Sequence, residues 1–427
     1  MQKISQKCKK HKIMSNKKIK AEIREKGITL VALIITIIVL LILAGITINS
    51  VVGSKGILTK SKEVTNDYKQ AAKNEEEILN TYETEMVKMQ EKEMIKMQEN
   101  LLKSGEYAKE TTKYYDGTKI ATIPAGFTVS GFDGEKSINS GLVIYKGNLT
   151  GANWTTGKDS SGNDIKKTYN QYVWIPCYED EYKRTAWEVE NDGGSKAFKD
   201  EATLAGVTVS SYDQGNGITS SIINEIVKQI SNEKASVSKY KGFYIGRYEV
   251  GEENVISQYK TPSANLIWSK AYENAKSIDV ASASVSYLCS SYARDTALNF
   301  IQNNSEFTTY ASTRDNGKNG TPINENWQDI SVTYKDENGT DATKAAGTAT
   351  RLPTGVTTVK CNIYDMGGNV EEFTTELNPL TNGDNDATVV HCGGNCYNDY
   401  CPTGKRCDNS SAVYGDNIGF RATLFIQ

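Results

Sequence analysis

The sequence predicts an α+β protein in which a long N-terminal helix is followed by a β-rich globular region. Residues 28–48 form a run of 21 residues without a charged side chain. From about residue 55 to residue 102 the chain is charged and carries one apolar stripe at helical spacing. From Lys119 onward, short apolar runs are separated by turns that contain glycine. These patterns predict a membrane-spanning helix, a helical stalk and a β-rich domain, in that order.

The N-terminal 27 residues form a basic leader. They contain ten Lys or Arg residues against Glu22 and Glu25, a charge of +8, which leaves −11 for the rest of a chain whose net charge is −3. Binding to nucleic acid requires a basic surface that displaces counterions from the phosphates. The acidic remainder therefore predicts that the protein has no nucleic-acid partner.

The apolar run 28–48 is long enough to cross the hydrocarbon core of a bilayer as a helix. Its basic flank holds the leader in the cytoplasm. We therefore expect a single-pass protein of the cell membrane whose globular domain is extracellular.

The junction between leader and apolar run reads Lys26-Gly27-Ile28-Thr29-Leu30-Val31. It resembles the leader-peptidase site of type IV prepilins. The resemblance implies cleavage between Gly27 and Ile28, N-methylation of Ile28, and other pilin subunits as partners. At the fifth mature residue, where pilins usually have Glu, this chain has Ala32, as is typical of minor subunits at a pilus tip. The resemblance thus favours a pilus-tip or membrane-anchored position over a filament-forming one.

We expect a helical stalk over residues 49–113. The apolar stripe consists of Val64, Tyr68, Ala71, Ile78, Tyr82, Met86 and Met89. These residues recur at intervals of three, four or seven, which places them on one face of a helix.

The globular region is predicted from residue 119. Residues 119–169 are either a small β-rich module or the start of the domain that occupies residues 170–427. Alternation and turn residues predict strands within 120–132, 140–146, 171–176 and 419–425. Residues 265–278 and 286–302 have helical patterns, and residues 312–347 are polar and predicted to be irregular. Turns are predicted at Gly367–Asn369 and Gly393–Asn395, because Gly and Asn tolerate positive φ.

Several segments together resemble one family. Residues 362–373 read NIYDMGGNVEEF, residues 393–395 read GGN, and residues 419–421 read GFR. Residues 171–176 (QYVWIP) and 241–250 (KGFYIGRYEV) complete the pattern. These motifs resemble the C-type-lectin-like domain that formylglycine-generating enzymes share with the variable proteins of diversity-generating retroelements. The resemblance implies that the residues between the GGN turn and the final strand lie on one exposed surface.

That surface is predicted to bind an external protein or glycan, as an adhesin or receptor would. The expected contact residues are Asn395, Cys396, Tyr397, Asn398, Asp399, Tyr400, Asp408, Asn409, Tyr414 and Asp416. Tyrosines supply rigid aromatic contact area, and Asn and Asp supply adaptable hydrogen bonds.

The composition of residues 395–417 is compatible with diversification by a retroelement. Such mutagenesis replaces adenines, so AAC or AAT template codons never yield Lys, Glu, Gln, Met or Trp. Of these five types only Lys405 occurs in the segment. Loops rich in turns also favour Asn, Asp, Gly, Ser and Tyr, which gives a second explanation for the same composition.

The cysteines raise a different possibility. Cys177, Cys289 and Cys361 are isolated and expected to be buried, whereas Cys392, Cys396, Cys401 and Cys407 are clustered. The pair Cys396 and Cys401 has the spacing of the two cysteines with which formylglycine-generating enzymes bind Cu(I). The alternative is disulfides or free thiols in a displayed loop. Since His391 is the only histidine after the leader, the sequence predicts neither a His-based triad nor a His-based zinc site.

A calcium site is the remaining cofactor expectation. The same resemblance implies that Gly368, Val370 and Glu372 bind Ca²⁺ through backbone and carboxylate oxygens. The alternative is that Glu372 is a solvated strand residue. Glu371 and Phe373 stand where the family usually has Trp.

Three functions follow from these observations. The first is a pilin-like, cell-surface, ligand-binding protein with a variable C-terminal surface. The second is a copper oxidase of the formylglycine-generating type, and the third is a structural minor pseudopilin. The sequence favours the first.

Overall fold

The structure is a computed structural model, and the chain divides into two compact units, Met1–Glu99 and Asn100–Gln427. In the second unit the structure describes residues 101–187, 198–312, 326, 328–357, 359–378, 388–397 and 402–427. In the first unit it describes Gln70, Ala71, Lys73, Asn74, Glu75, Ile78 and Thr81. These seven residues are helical and exposed, which agrees with a helical stalk at these positions.

No helix among the described residues combines the length and the apolar character that crossing a membrane requires. The apolar run 28–48, the leader, and the junction of Gly27 and Ile28 lie outside the described residues. The predictions made for them stay predictions.

The described part of the second unit is a mixture of strands and helices, so the α+β prediction is confirmed. Its strands are Leu101–Leu102 (β1), Thr112–Tyr115 (β2), Ile120–Ile123 (β3), Phe127–Val129 (β4), Val143–Lys146 (β5), Gln171–Pro176 (β6), Gly242–Gly246 (β7), Ser284–Leu288 (β8), Val332–Lys335 (β9), Asp341–Lys344 (β10), Glu371–Asn378 (β11), Thr388–Cys392 (β12), Arg406–Ser410 (β13), Ile418–Phe420 (β14) and Ala422–Ile426 (β15). Its α-helices are Ile165–Thr168 (α1), Ser211–Gly215 (α2), Ser220–Tyr240 (α3), Trp268–Ser277 (α4) and Ser291–Asn304 (α5). Short 3₁₀ helices lie at Glu201–Thr203 and Glu252–Asn254.

The strands form four sheets. The largest has the order β4-β5-β6-β7-β15-β8, and its neighbouring strands are antiparallel. A four-stranded sheet has the order β13-β12-β11-β14, in which only β11 and β14 are parallel. Strands β1 to β3 form a small sheet, and β9 pairs with β10 in a hairpin.

The six-stranded sheet is the centre of the hydrophobic core because both of its faces are buried. Successive side chains of a strand point to opposite faces. Tyr172, Trp174 and Tyr244 belong to one apolar cluster, which also contains residues of α4 and of the four-stranded sheet. Val173 and Phe243 belong to a second cluster, which contains residues of α5. The near-continuous apolar sequences of β6 and β7 follow from this two-sided burial.

Most predicted elements are present, with two informative differences. Strand β6 has the predicted bounds, and α4 lies within residues 265–278. The predicted helix 286–302 begins only at Ser291, where the Ser290 hydroxyl caps it by accepting from the Ala293 N–H. The preceding residues form β8, in which Ser284, Ser286 and Leu288 alternate on the buried face. Residues 312–347, predicted to be irregular, include the β9–β10 hairpin.

The domain boundaries also become clearer. The sequence predicts a stalk that extends to residue 113, but Leu101–Leu102 pairs in parallel with Lys113 and Tyr114 of β2. Residues 101–113 are therefore part of the second unit. Strands β4 and β5 lie in the same sheet as β6, so residues 119–169 are the start of the globular domain and not a separate module.

A buried ion-pair network connects the sheets and α5. Arg421 lies between β14 and β15, and its guanidinium donates to Glu372 Oε1 at 2.7 Å and to the Gly246 carbonyl at 2.9 Å. The Arg294 guanidinium on α5 donates to Glu372 Oε2 and, at 2.8 Å, to the Met366 carbonyl. All three charged side chains are buried. The Glu372 carboxylate on β11 thus fixes the position of α5. It also fixes the point at which the chain leaves β14 of the four-stranded sheet and enters β15 of the six-stranded sheet.

Arg421→Met removes the donor to Glu372 Oε1 and to the backbone carbonyls of Gly246 and Tyr364, so it is expected to reduce the free energy of unfolding by roughly 3–5 kcal/mol. Lys276→Met is the matched control, because Lys276 pairs with Glu225 at 2.7 Å on the surface. We expect its loss to be under about 1 kcal/mol. Urea denaturation of the full-length chain, followed by near-ultraviolet circular dichroism, measures both. Equal losses for the two variants would contradict the role given to Arg421.

Candidate functional site

The first turn of the candidate surface is held by buried hydrogen bonds. Gly368 has φ +107° and Asn369 has φ +63°, as predicted for this turn. The Asn369 side-chain amide donates to Glu249 Oε2 at 2.7 Å and accepts from the Leu352 N–H at 2.8 Å. Burial raises the pKa of Glu249 well above its usual range, and the carboxyl accepts from the Val370 N–H. Asn369 and Glu249 therefore fix the backbone and are not exposed for ligand contact.

The second turn is hydrogen-bonded to the first. Gly393 has φ +87°, in the left-handed region where the absence of a Cβ matters. The Cys396 N–H donates to the Asn369 carbonyl at 3.0 Å, and the Asn395 side chain accepts from the Tyr397 N–H at 2.8 Å. Asn395 and Cys396 are buried. The structure thus gives these two predicted contact residues a supporting position beneath the surface.

Two predicted tyrosines are exposed. Tyr397 is 43% exposed and Tyr414 is 68% exposed. The Tyr397 hydroxyl donates to Asp416 Oδ2 at 2.7 Å, which joins the end of the second turn to the segment before β14. This hydrogen bond raises the pKa of Tyr397. Asp416 is exposed as well.

Strand β13 carries the next two predicted residues in different environments. Asp408 is half-buried, and its Oδ2 accepts from Thr388 Oγ1 at 2.9 Å and from Asn378 Nδ2 at 3.2 Å. Asn409 is exposed. Asn398, Asp399, Tyr400 and Cys401, the rest of the predicted set, lie outside the described residues.

Sequence reasoning missed Tyr212, an exposed tyrosine that contacts the end of β13. It lies on α2, is 49% exposed, and its hydroxyl is 3.3 Å from Ser410 Oγ at the end of β13. Helix α2 is attached there by Ser411, whose hydroxyl donates to Asp213 Oδ1 at 2.7 Å. Tyr212 is 198 residues before Ser410, so no local pattern indicates the contact.

Glu372 lies in an environment that the sequence did not predict. It is not a solvated strand residue, because it is buried between Arg294 and Arg421. Both carboxylate oxygens accept from guanidinium groups, which compete with any cation for them. The calcium site at Gly368, Val370 and Glu372 stays a prediction, and this arrangement does not favour it.

The paired-thiol hypothesis can be examined at one of its two residues. Cys396 is buried, and burial raises its pKa to about 11, so the thiol is protonated at neutral pH. Copper(I) binding uses thiolates. With Cys401 outside the described residues, the Cu(I) site remains a prediction. The expected burial of Cys177, Cys289 and Cys361 is confirmed.

A second cluster, which the sequence did not predict, lies on the four-stranded sheet. His391 on β12 is directly opposite Cys407 on β13 and Phe373 on β11. Three residues, Glu371, His391 and Cys407, each offer one potential ligand atom. These three atoms lie within 4.8 Å of one another. Burial lowers the pKa of His391, but the Glu371 carboxylate, whose Oε2 is 3.1 Å from Nδ1, leaves the pKa raised overall.

No protein-family model matches this chain. No curated protein matches it either.

Three solved structures to which the chain is similar have low sequence identity to it. PvdO from Pseudomonas aeruginosa is 14% identical, with 60% of this chain and 95% of that chain covered and a TM-score of 0.33. Treponema denticola variable protein 1 is 12% identical, with 73% and 98% covered and a TM-score of 0.22. The Major Tropism Determinant I1 variant is 10% identical, with 77% and 97% covered and a TM-score of 0.29. Likenesses this weak do not assign a function to this chain.

Proposed function

We propose that this protein is a ligand-recognition protein, and that Tyr212, Tyr397, Asn409, Tyr414 and Asp416 form its recognition surface. The observation that carries the proposal is the exposure of two large aromatic side chains, Tyr397, which directly follows the buried Asn395 and Cys396, and Tyr414. A large aromatic side chain held in water by an ordered backbone loses little conformational freedom on binding.

The chemistry of the recognition surface is mixed. Tyr212, Tyr397 and Tyr414 offer flat apolar area with a polar tip, while Asn409 and Asp416 offer hydrogen bonds. The Tyr397–Asp416 hydrogen bond restricts one ring before any ligand arrives. Such a surface suits an external protein or glycan, and the protein would act as an adhesin or receptor.

The proposed function also requires a domain that can carry the recognition surface and a location outside the cell. A C-type-lectin-like domain is supported by the two tight turns at Gly368 and Gly393 and by strand β14, which leads into the buried Arg421. Display outside the cell, on a single membrane-spanning helix processed like a type IV prepilin, is supported by the basic leader and the uncharged run 28–48. Other pilin subunits would then be partners in the membrane.

Removal of an aromatic contact is expected to weaken binding. The full-length chain would be applied in detergent to a glycan array and to an array of secreted and cell-surface proteins. Tyr397→Ala and Tyr414→Ala should each reduce affinity for a bound feature at least about tenfold, because aromatic residues dominate contact energies. Tyr178→Ala is the matched control, since Tyr178 is also exposed but follows β6. Equal loss in the control, or no bound feature on either array, would contradict the proposal.

If a retroelement diversifies the recognition surface, the source genome should contain the template for this process. We expect a near-copy of the 3′ end of this gene, with adenines at the differing positions, beside a reverse-transcriptase gene. Differences among isolates should fall at the exposed positions 397, 414 and 416, and should avoid the buried positions 395 and 396. A genome without such a copy would rule out active diversification and leave a static binding surface.

Processing gives an independent test of the membrane anchor. Protein isolated from its host should begin at Ile28, with a methylated amino group, because the junction of Gly27 and Ile28 follows the prepilin pattern. Intact-mass measurement and N-terminal sequencing detect both changes. A chain that retains residues 1–27 would exclude pilin-type processing but would not affect the recognition surface.

A further inference from the structure

The register of the four-stranded sheet places three potential metal ligands on one face. His391 and Cys407 are directly opposite each other on β12 and β13. Phe373 on β11 is opposite His391, and Glu371 is two residues before Phe373. Since side chains two residues apart share a face, Glu371 is the diagonal neighbour of His391. Sheet geometry thus brings a carboxylate, an imidazole and a thiol together.

His391 is 2% exposed, and its Nδ1 lies 3.1 Å from Glu371 Oε2. Two ligand atoms that bind the same metal ion are a similar distance apart. Cys407 is half-buried, so the cluster reaches the protein surface on the β13 side.

We propose that Glu371, His391 and Cys407 bind a divalent transition-metal ion of the Zn²⁺ type. Zinc takes imidazole nitrogen, thiolate sulfur and carboxylate oxygen, with bonds of about 2.0–2.3 Å in tetrahedral geometry. Those bonds separate neighbouring ligand atoms by roughly 3.5 Å. The three atoms already lie within 4.8 Å of one another, so small side-chain rotations close the site.

The charges and donor types select the ion. A thiolate and a carboxylate together balance two positive charges, so a divalent ion leaves the half-buried site neutral. Imidazole and thiolate are poor ligands for Ca²⁺ and Mg²⁺, which prefer oxygen. Three protein ligands leave a fourth coordination position for water.

Asn409 orients the histidine for this role. Its side-chain amide lies 2.7 Å from His391 Nε2, on the opposite side of the ring from Nδ1. With a metal ion on Nδ1, the Nε2 atom carries the proton and needs an acceptor. A rotated Asn409 amide supplies its oxygen at the same position, because the two amide orientations have equivalent heavy-atom geometry. Asn409 is therefore a positioning residue.

The test uses the full-length, metal-free chain under reducing conditions. Zn²⁺ is titrated in competition with a chromophoric chelator, and Co²⁺ is added separately to record absorption. We expect the chain to bind one Zn²⁺ ion and this binding to require Cys407. With Co²⁺ we expect a near-ultraviolet absorption band from thiolate-to-cobalt charge transfer. Cys407→Ser should abolish that band, and His391→Gln and Glu371→Gln should weaken Zn²⁺ binding at least about tenfold.

Matched controls identify the site. Asp408→Asn removes a neighbouring carboxylate that bonds to Thr388 and Asn378 instead, and Cys361→Ser removes a buried thiol that is not part of the cluster. Both should bind Zn²⁺ as the unmodified chain does. Cys407 is half-buried, so the conservative Cys407→Ser is the variant best able to fold, and an unchanged far-ultraviolet spectrum verifies that it does. The proposal is overturned if no Zn²⁺ binds, if Cys407→Ser retains the cobalt band, or if Cys396→Ser alone abolishes it.

Discussion

The buried carboxylate of Glu372 is the interaction on which the arrangement around the candidate surface depends. It lies between Arg421, where the chain passes from β14 to β15, and Arg294 on α5. Both arginines also donate to backbone carbonyls, Arg421 to Gly246 and Tyr364, and Arg294 to Met366 and Thr403. Because charges are costly to bury without partners, this set of contacts strongly disfavours other placements of the final strands.

The position of the exposed tyrosines follows from that network. Strand β14 is parallel to β11 beside Glu371–Phe373, and Thr403 is held by Arg294 before β13 begins. The segment between Thr403 and Ile418 therefore starts and ends at points tied to the same buried charges. Tyr414 in this segment is 68% exposed, so its side chain can change without disturbing those contacts. Rigid support and a changeable exterior are compatible for this reason.

Strand β13 shows the same separation within five residues. Arg406 is buried against Glu376 and Asp295, and Asp408 bonds to Thr388 and Asn378. Cys407 and Asn409, which alternate with them, lie beside His391 on the other face. One face of the strand fastens it to the domain, while the other carries groups available for metal or ligand chemistry. The two faces of a half-buried strand can carry different kinds of side chain, because successive side chains point to opposite faces.

Much of the fold was predictable because its signals are local. The apolar sequence of β6, the Gly and Asn residues at the two turns, and the helical pattern of α4 depend on neighbouring residues only. The start of α5 was misjudged, since the small, alternating residues of β8 resemble the beginning of a helix until the sheet partner β15 is known. The candidate surface was predicted in part: Tyr397, Tyr414 and Asp416 are exposed as expected, whereas Asn395 and Cys396 are buried.

By itself the sequence determined the α+β class, the tight turns, the burial of the isolated cysteines and the basic-then-apolar N-terminal pattern. These properties depend on side-chain size, charge and spacing along the chain. Only the tertiary structure decided that Glu372 pairs with two arginines, that Tyr212 contacts Ser410 198 residues further along the chain, and that Glu371, His391 and Cys407 meet. Sheet register and helix docking set those contacts, and neither leaves a local signature in the sequence.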